Sequence, residues 1–343
     1  MAKKKRALIT GISGQDGSYL AELLFDKGYD VYGLLRRTSA GPPPYIEDLH
    51  LAKKLSYVYG NVRDLSTVRM VMEEVRPDEV YNLAAQSHVW VSFKVPDETW
   101  DTNYYGVGRV VNEAMRVNKD VRIYQASTSE MFGATLPPQN ERSPFAPVSP
   151  YAESKLKAHE EFIVGYREKY GLFAASGILF NHESPRRGKH FVTRKITHSL
   201  AKIKLGLQEK LLLGNLEAKR DWGYAGDYVE VMRLILQQQK PHDYVIATGE
   251  TRTVRDFVDA AATALDMHIT WKGKGKSEVG RDTGGKVIIA VDPEFYRPHE
   301  VHQLLGDARK ARRELGWKPK VSFDQLVEMM VKSDYDALKH QTS

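Results

Sequence analysis

The chain has 343 residues, a formal charge of +6 and no cysteine. That length buries one large core or two moderate ones, and the lack of cysteine excludes disulfides, thiol nucleophiles and thiolate metal sites. Hydrophobic residues at 42% and charged residues at 27% are ordinary for a soluble globular protein, and no apolar run is long enough to span a membrane.

The basic start, Met1 to Arg6, leads straight into a strand-like run, Ala7–Thr10. No apolar signal region intervenes, which predicts a cytoplasmic protein. Apolar runs at Arg6–Thr10, Val31–Leu35, Ser56–Tyr59, Glu79–Ala84 and Arg122–Ala126 read as buried parallel strands. Amphipathic stretches at Ser18–Lys27, Ser66–Val75 and Asp97–Val117 separate them. This alternation predicts βαβ units in a Rossmann-type, doubly wound parallel sheet. A helix over Tyr151–Tyr170, entered at Pro150, and a strand at Phe173–Phe180 follow.

Beyond about Asn181 the pattern loosens. Short apolar pieces at Lys210–Leu213, Tyr244–Ala247 and Val287–Ala290 alternate with helical stretches at Val192–Leu207, Asp227–Gln238 and Val254–Leu265. We read these as a smaller mixed α/β substrate lobe. The Gly-rich stretch Lys272–Gly285 reads as a mobile loop, and Asp307–Leu315 and Ser322–Leu338 as helices. The expected division is residues 1–180 for a cofactor domain and 181–343 for a predominantly substrate-binding lobe, with room for the chain to cross back.

The first strand ends in Thr10-Gly11-Ile12-Ser13-Gly14-Gln15-Asp16-Gly17, and a helix follows. Glycines at this spacing allow a tight turn and let the backbone approach a pyrophosphate on the helix N-terminus. Three loop glycines often make only a turn; their place after the first strand favours a dinucleotide. The second strand ends in Arg36-Arg37. NAD binding calls for an acidic residue near this point, whereas arginine suits a 2′-phosphate, so NADP is the expected cofactor. The alternative is a solvated arginine pair. No basic helix interleaved with aromatics suggests nucleic acid, and no histidine pair at helical spacing suggests a metal.

Tyr151 and Lys155 stand four apart on one helix. A lysine charge can lower a tyrosine pKa and leave a phenolate able to act as a base. The spacing alone means little, because Tyr335 and Lys339 repeat it. Context separates the two pairs: the fifth strand runs into Gln125-Ala126-Ser127-Thr128-Ser129-Glu130 shortly before Tyr151.

Together the glycine loop, Asn82-Leu83-Ala84-Ala85-Gln86-Ser87-His88-Val89, Ser127-Thr128-Ser129-Glu130-Met131-Phe132-Gly133 and Tyr151-x-x-x-Lys155 resemble the extended short-chain dehydrogenase/reductase family. Within it, Asn181-His182-Glu183-Ser184-Pro185-Arg186-Arg187-Gly188, Phe191-Val192-Thr193-Arg194-Lys195-Ile196, Arg220-Asp221-Trp222-Gly223 and Tyr296-Arg297-Pro298-x-Glu300-Val301 are similar to the GDP-mannose 4,6-dehydratases. The resemblance covers nearly the whole chain. It implies a lyase that dehydrates GDP-mannose on a tightly held NADP. Thr128, Glu130, Tyr151 and Lys155 would be catalytic. Cofactor contacts would come from Gly11, Gly14, Gln15, Asp16, Gly17, Arg36, Arg37, Asn61, Val62, Leu83, Ala84, Ala85, Ser87, Tyr151, Lys155, His182 and Arg187. Ser87, Asn181, Lys195, Arg220, Arg297 and Glu300 would meet the substrate. The resemblance further implies a homodimer or homotetramer, with the arginine-bearing loop against a neighbouring subunit.

Glu130 decides the reaction type, since a simple epimerase or reductase needs no second base near C5 and C6. One departure is Gly60-Asn61-Val62, where the family has Gly-Asp-Leu; the asparagine keeps a hydrogen bond for adenine but loses the charge. Three alternatives stay open: a dehydratase for a related GDP-sugar such as a GDP-manno-heptose, a bifunctional dehydratase–reductase, and a non-catalytic NADP-binding sensor.

Overall fold

The computed structural model describes residues 4–39, 41–51, 53–295 and 303–342. The first half winds β1 (Arg6–Thr10), α1 (Gln15–Asp26), β2 (Asp30–Leu35), α2 (Pro44–Leu51), β3 (Ser56–Tyr59), α3 (Leu65–Val75) and β4 (Glu79–Asn82). The short helices α4 (Val89–Ser92) and α5 (Pro96–Trp100), a π-helical turn at Asp101–Tyr105, α6 (Gly106–Val117) and β5 (Arg122–Thr128) come next. Then α7 (Pro150–Ala158), a second π-helical stretch at His159–Gly165, α8 (Tyr166–Tyr170) and β6 (Phe173–Leu179) complete this half.

The second half begins with β7 (Asn181–Glu183), α9 (Val192–Lys204), β8 (Leu211–Leu213), β9 (Lys219–Arg220), β10 (Trp222–Tyr224), α10 (Ala225–Leu236) and β11 (Tyr244–Ile246). It ends with β12 (Arg252–Thr253), α11 (Val254–Thr263), β13 (Thr270–Lys272), β14 (Val279–Arg281), β15 (Val287–Val291), α12 (Arg309–Leu315) and α13 (Phe323–Thr342).

The main sheet has seven parallel strands in the order β11-β6-β5-β4-β1-β2-β3. Alternating side chains feed two cores, as a sheet covered on both faces requires. Ala7 and Ile9 of β1 enter one core and Leu8 the other. In β5, Tyr124 joins the first and Ile123 the second. A third core fills the C-terminal lobe, where α9, α11 and α13 contribute Ile196, Phe257 and Met330 beside the sheet β13-β14-β15-β8.

Three sequence readings need correction. Tyr244–Ile246 belongs to the main sheet and not to the small lobe, pairing with Gly177–Leu179 of β6. The helix before it, α10, packs on the same core through Val231, Met232 and Ile235. These apolar runs look alike in sequence; only the pairing register assigns them to a sheet. The stretch 272–285 is no plain loop, because it carries β14 and a 3₁₀ turn at Gly275–Ser277. The Glu79–Ala84 run stops as a strand at Asn82, where the chain turns aside into the site.

After residue 303 the chain returns to the first half. Gln139 accepts from the Leu305 amide at 3.1 Å and donates its own amide to the Leu305 carbonyl at 2.8 Å. Gly306 fits there because it lacks a side chain: a Cβ would sit 2.2 Å from the Ala247 Cβ and 2.9 Å from the Phe180 ring. Gly306→Ala should therefore lower unfolding stability by about 1–3 kcal/mol through overpacking, read as a shift of the denaturant midpoint.

Candidate active site

The site gathers where β1, β4, β5 and β7 end. Gly11 occupies φ +69°, and a Cβ there would lie 2.8 Å from the Ala84 nitrogen. Both facts demand glycine: the left-handed conformation, and the close approach of the Leu83–Ala84 backbone. Gly14 caps α1 and donates to the Gly11 carbonyl at 3.0 Å. Gly17 packs so tightly that a Cβ would come 2.6 Å from the Gly11 oxygen. The first amides of α1 thus open on a side-chain-free cradle, which fits an anionic pyrophosphate. Thr10 fastens the neighbouring loop, accepting from the Leu83 and Ala84 amides at 3.1 Å each while donating to Asn82 at 2.6 Å.

Gln15 and Asp16, expected at the cofactor, bond through their side chains to the strand and loop around His182. The Gln15 amide donates to the His182 carbonyl at 2.8 Å and its oxygen accepts from Ser184 at 2.9 Å. Asp16 Oδ2 lies 2.8 Å from His182 Nε2, and His182 Nδ1 lies 2.8 Å from the Phe180 carbonyl. A carbonyl and a carboxylate both accept, so this geometry favours the doubly protonated ring, in which both nitrogens donate. Its ring stacks on Tyr228 at 4.6 Å. Burial opposes the charge on His182, but Asp16 outweighs it and raises the pKa. Burial likewise pushes Asp16 up, and His182 with Arg187 brings it below the usual value.

The other expected cofactor residues border this cradle. Arg36 and Arg37 are exposed just after β2. Asn61 follows β3; its side-chain oxygen accepts from the Arg63 amide at 3.0 Å, leaving one lone pair, and Val62 is buried. Ala85 and Ser87 continue the loop after β4, and Ser87 is exposed.

The four expected catalytic side chains are all buried. Thr128 ends β5 and accepts from the Glu130 amide at 3.2 Å, starting the 3₁₀ turn that carries Glu130. Tyr151 and Lys155 lie on α7, capped by Ser149 with Pro150 in its first turn. Burial pushes Tyr151 up to about 12, a hydrogen bond from Thr128 opposes this, Glu130 raises it further and Arg187 lowers it. Among the charges that act on Tyr151, the cation is Arg187. Lys155 points at the Ala126 carbonyl, 2.9 Å away, and burial lowers its pKa to about 8. The look-alike pair behaves differently: Tyr335 packs on the C-terminal core and Lys339 is exposed.

On the substrate side, the Asn181 side-chain oxygen is buried with no hydrogen-bond partner among the described residues. Such an acceptor suits a ligand hydroxyl. The Lys195 ammonium sits 3.5 Å from the Phe295 ring centroid, and burial lowers its pKa against the pull of Asp292. Arg220 is buried at the end of β9. Arg187 pairs with Glu183 at 3.1 Å and lies over Phe191 at 3.6 Å. Arg297 and Glu300 fall outside the described residues.

Sequence reading missed Asn103. It is buried in the π-helical turn, accepts from the Gln86 amide at 2.9 Å, and donates to the Gln86 carbonyl at 3.0 Å and to Ser154 at 3.3 Å. It thereby joins the Ser87 loop to the Tyr151 helix. Also missed was a ring cluster, with His88 5.4 Å from His190 and 5.5 Å from Phe191. A buried asparagine carries no sequence signal; the pair of π-helical turns had none either.

The Asp16–His182 pair makes stability pH-dependent. A raised His182 pKa contributes fully below an ordinary histidine value of about 6.5 and is lost as pH rises through the folded value. A lowered Asp16 pKa contributes fully above about 3.9 and is lost as pH falls through the folded value. The thermal-midpoint gap between wild type and His182→Gln should be widest near pH 5–6 and narrow steadily toward pH 9, as scanning calorimetry at stepped pH will show.

Three comparisons bear on this geometry. A family model described as GDP-mannose 4,6 dehydratase matches residues 8–330. GDP-mannose 4,6 dehydratase 1 of Arabidopsis thaliana is 50% identical, covering 98% of this chain and 92% of its own. GDP-mannose 4,6-dehydratase of Vibrio cholerae is 48% identical, covering 97% and 94%. Among solved structures, the UDP-glucose 4-epimerase of Thermus thermophilus in complex with NAD superposes with a TM-score of 0.80 at 26% identity, covering 97% of this chain and 99% of that one.

Proposed function

The chain belongs to the GDP-mannose 4,6 dehydratase family, and from that premise we propose that it converts GDP-mannose to GDP-4-dehydro-6-deoxymannose with release of water. The observation that carries the reading is that Thr128, Glu130, Tyr151 and Lys155 are all buried, with a Thr128 hydrogen bond and the Glu130 charge both acting on Tyr151. A tyrosine base alone serves oxidation and reduction; a buried carboxylate beside it serves elimination.

The nicotinamide cofactor, when bound, supplies the hydride acceptor at C4 and the hydride donor at C6. Tyr151, once its phenol has given up its own proton against the upward push of burial, takes the proton of the C4 hydroxyl, which Thr128 holds by a hydrogen bond. Lys155 orients the nicotinamide ribose. Oxidation at C4 acidifies the hydrogen on C5. Glu130 removes that proton and gives it to the departing C6 hydroxyl, so water leaves. The proton count closes when Tyr151 returns its proton to C5 as hydride reaches C6. Asn181, Lys195, Arg220, Arg297 and Glu300 bind the GDP-sugar in this reading, with Ser87 at the sugar. Residues 1–180 hold the cofactor and most of 181–343 the substrate. The setting is cytoplasmic and the active form a homodimer or homotetramer.

Incubation with GDP-mannose and no added cofactor should yield a 4-keto product with no net NADPH change. A folded, cofactor-loaded sample that forms none would sink the proposal. Glu130→Gln should bind substrate yet lose about two to four orders of magnitude in water release, the usual contribution of a positioned acid–base group. A variant that dehydrates at the wild-type rate would remove Glu130 from its role.

NADP is the cofactor in this reading because Arg36 and Arg37 lie exposed beyond β2, where an adenosine ribose would extend. Each hydrogen bond to a charged group contributes about 1.5–3 kcal/mol, or roughly ten- to hundred-fold in affinity. Arg36→Ala and Arg37→Ala should each weaken NADPH binding within that range and leave NADH binding nearly unchanged, as fluorescence titration of cofactor-stripped protein will measure.

A further inference from the structure

A strap of chain, residues 185–188, joins β7 to α9 and carries two arginines with different tasks. Arg186 grips α1, donating to Glu22 at 2.7 Å and to Ser18 at 3.1 Å, with its guanidinium over the Tyr19 ring at 4.2 Å. Arg187 faces the other way, onto Glu183 and Phe191, and its charge acts on both Tyr151 and Asp16. A charge so placed is useful only if the strap holds one position.

That position is held from the far end of the chain. Arg194, in the first turn of α9, donates from Nη1 to the strap carbonyls of Pro185 and, at 3.1 Å, Arg187. The rest of its fork meets Asp334 on α13. Nε lies 2.7 and 2.8 Å from the two carboxylate oxygens, and Nη2 lies 2.6 Å from Oδ1. Asp334 is 1% exposed and also accepts from Thr197 at 2.6 Å. Fastening two helices does not need this arrangement, since apolar side chains of similar volume do that as well or better. A planar fork that reaches a buried carboxylate and two loop carbonyls at once fixes a loop in register with a helix.

Resting on the function proposed above, we propose that Arg194 and Asp334 are positioning residues for the reaction, holding the 185–188 strap from the C-terminal helix so that Arg187 faces the catalytic pocket. Neither side chain touches the reacting atoms. Both act through Arg187.

A double-mutant cycle tests this. Wild type, Asp334→Asn, Arg187→Met and the double variant are compared for kcat and KM with GDP-mannose, per folded and cofactor-loaded site, well below each melting temperature. NADPH dissociation rates are measured on the same four proteins. Asp334→Asn should lower kcat/KM or speed NADPH release roughly ten- to hundred-fold, the scale of a small misplacement. The double variant should be no worse than Arg187→Met alone, because Asp334 has nothing left to position. Multiplying losses, or wild-type kcat, KM and release in an Asp334→Asn protein that merely melts lower, would overturn the inference and leave the pair as a helix fastener. Should Asp334→Asn not fold, Arg194→Lys takes its place, keeping the charge opposite Asp334 while losing the fork. An inactive wild type strikes the proposed function alone; the NADPH release rates then decide the strap.

Discussion

The ion pair between Asp16 and His182 is the constraint on which the site depends. It joins the phosphate loop to a strand 166 residues further along the chain. Each histidine nitrogen has a partner, one the carboxylate and one the Phe180 carbonyl, so the ring cannot rotate without breaking two contacts. Gln15 repeats the join on either side, through the His182 carbonyl and Ser184. With β7 pinned in this way, the segments after it take their places from it: the strap, Arg187, and α9 with Lys195. The pair is largely but not fully buried, with His182 11% and Asp16 21% exposed, and an unpartnered charge there is costly. Exposed pairs such as Arg309–Asp307 and Arg313–Glu314 contribute little by comparison.

The catalytic groups show how environment divides labour among similar residues. Tyr151 and Tyr335 each precede a lysine by four residues, yet one pair is buried beside Thr128 and Glu130 while the other borders solvent. Lys155 does not lower the Tyr151 pKa by contact; its ammonium is engaged with the Ala126 carbonyl. Arg187, on a different element, is a cation whose charge lowers the Tyr151 pKa. A four-residue spacing therefore places two side chains on one helix face but does not decide what each one meets.

Much of the first half was legible because its signals are local. Buried parallel strands read as apolar runs, the glycine turn announces itself, and the Thr128–Glu130 string sits where β5 must end. The second half was less so, for a physical reason. β11 is a three-residue strand whose sheet is set by pairing with β6, and nothing in Tyr244-Val245-Ile246 encodes that partner. The side-chain directions of Gln15 and Asp16 were hidden for the same reason, since their partners lie more than 160 residues away. Asn103 was missed because a buried amide matters through two backbone bonds that only the fold creates.

The place of β11 at the end of the main sheet has a consequence for synthesis of the protein. When β6 has left the ribosome, its outer edge has no partner until residues 244–246 emerge. For that interval the nascent sheet exposes a bare row of amides and carbonyls along an apolar strand, a surface prone to pairing with other chains. The first 180 residues hold the glycine turn and the catalytic helix, yet as a fragment they would keep that edge open. Chain completion thus closes the sheet as well as the substrate side, and truncation upstream of residue 244 would leave a fragment that aggregates through β6.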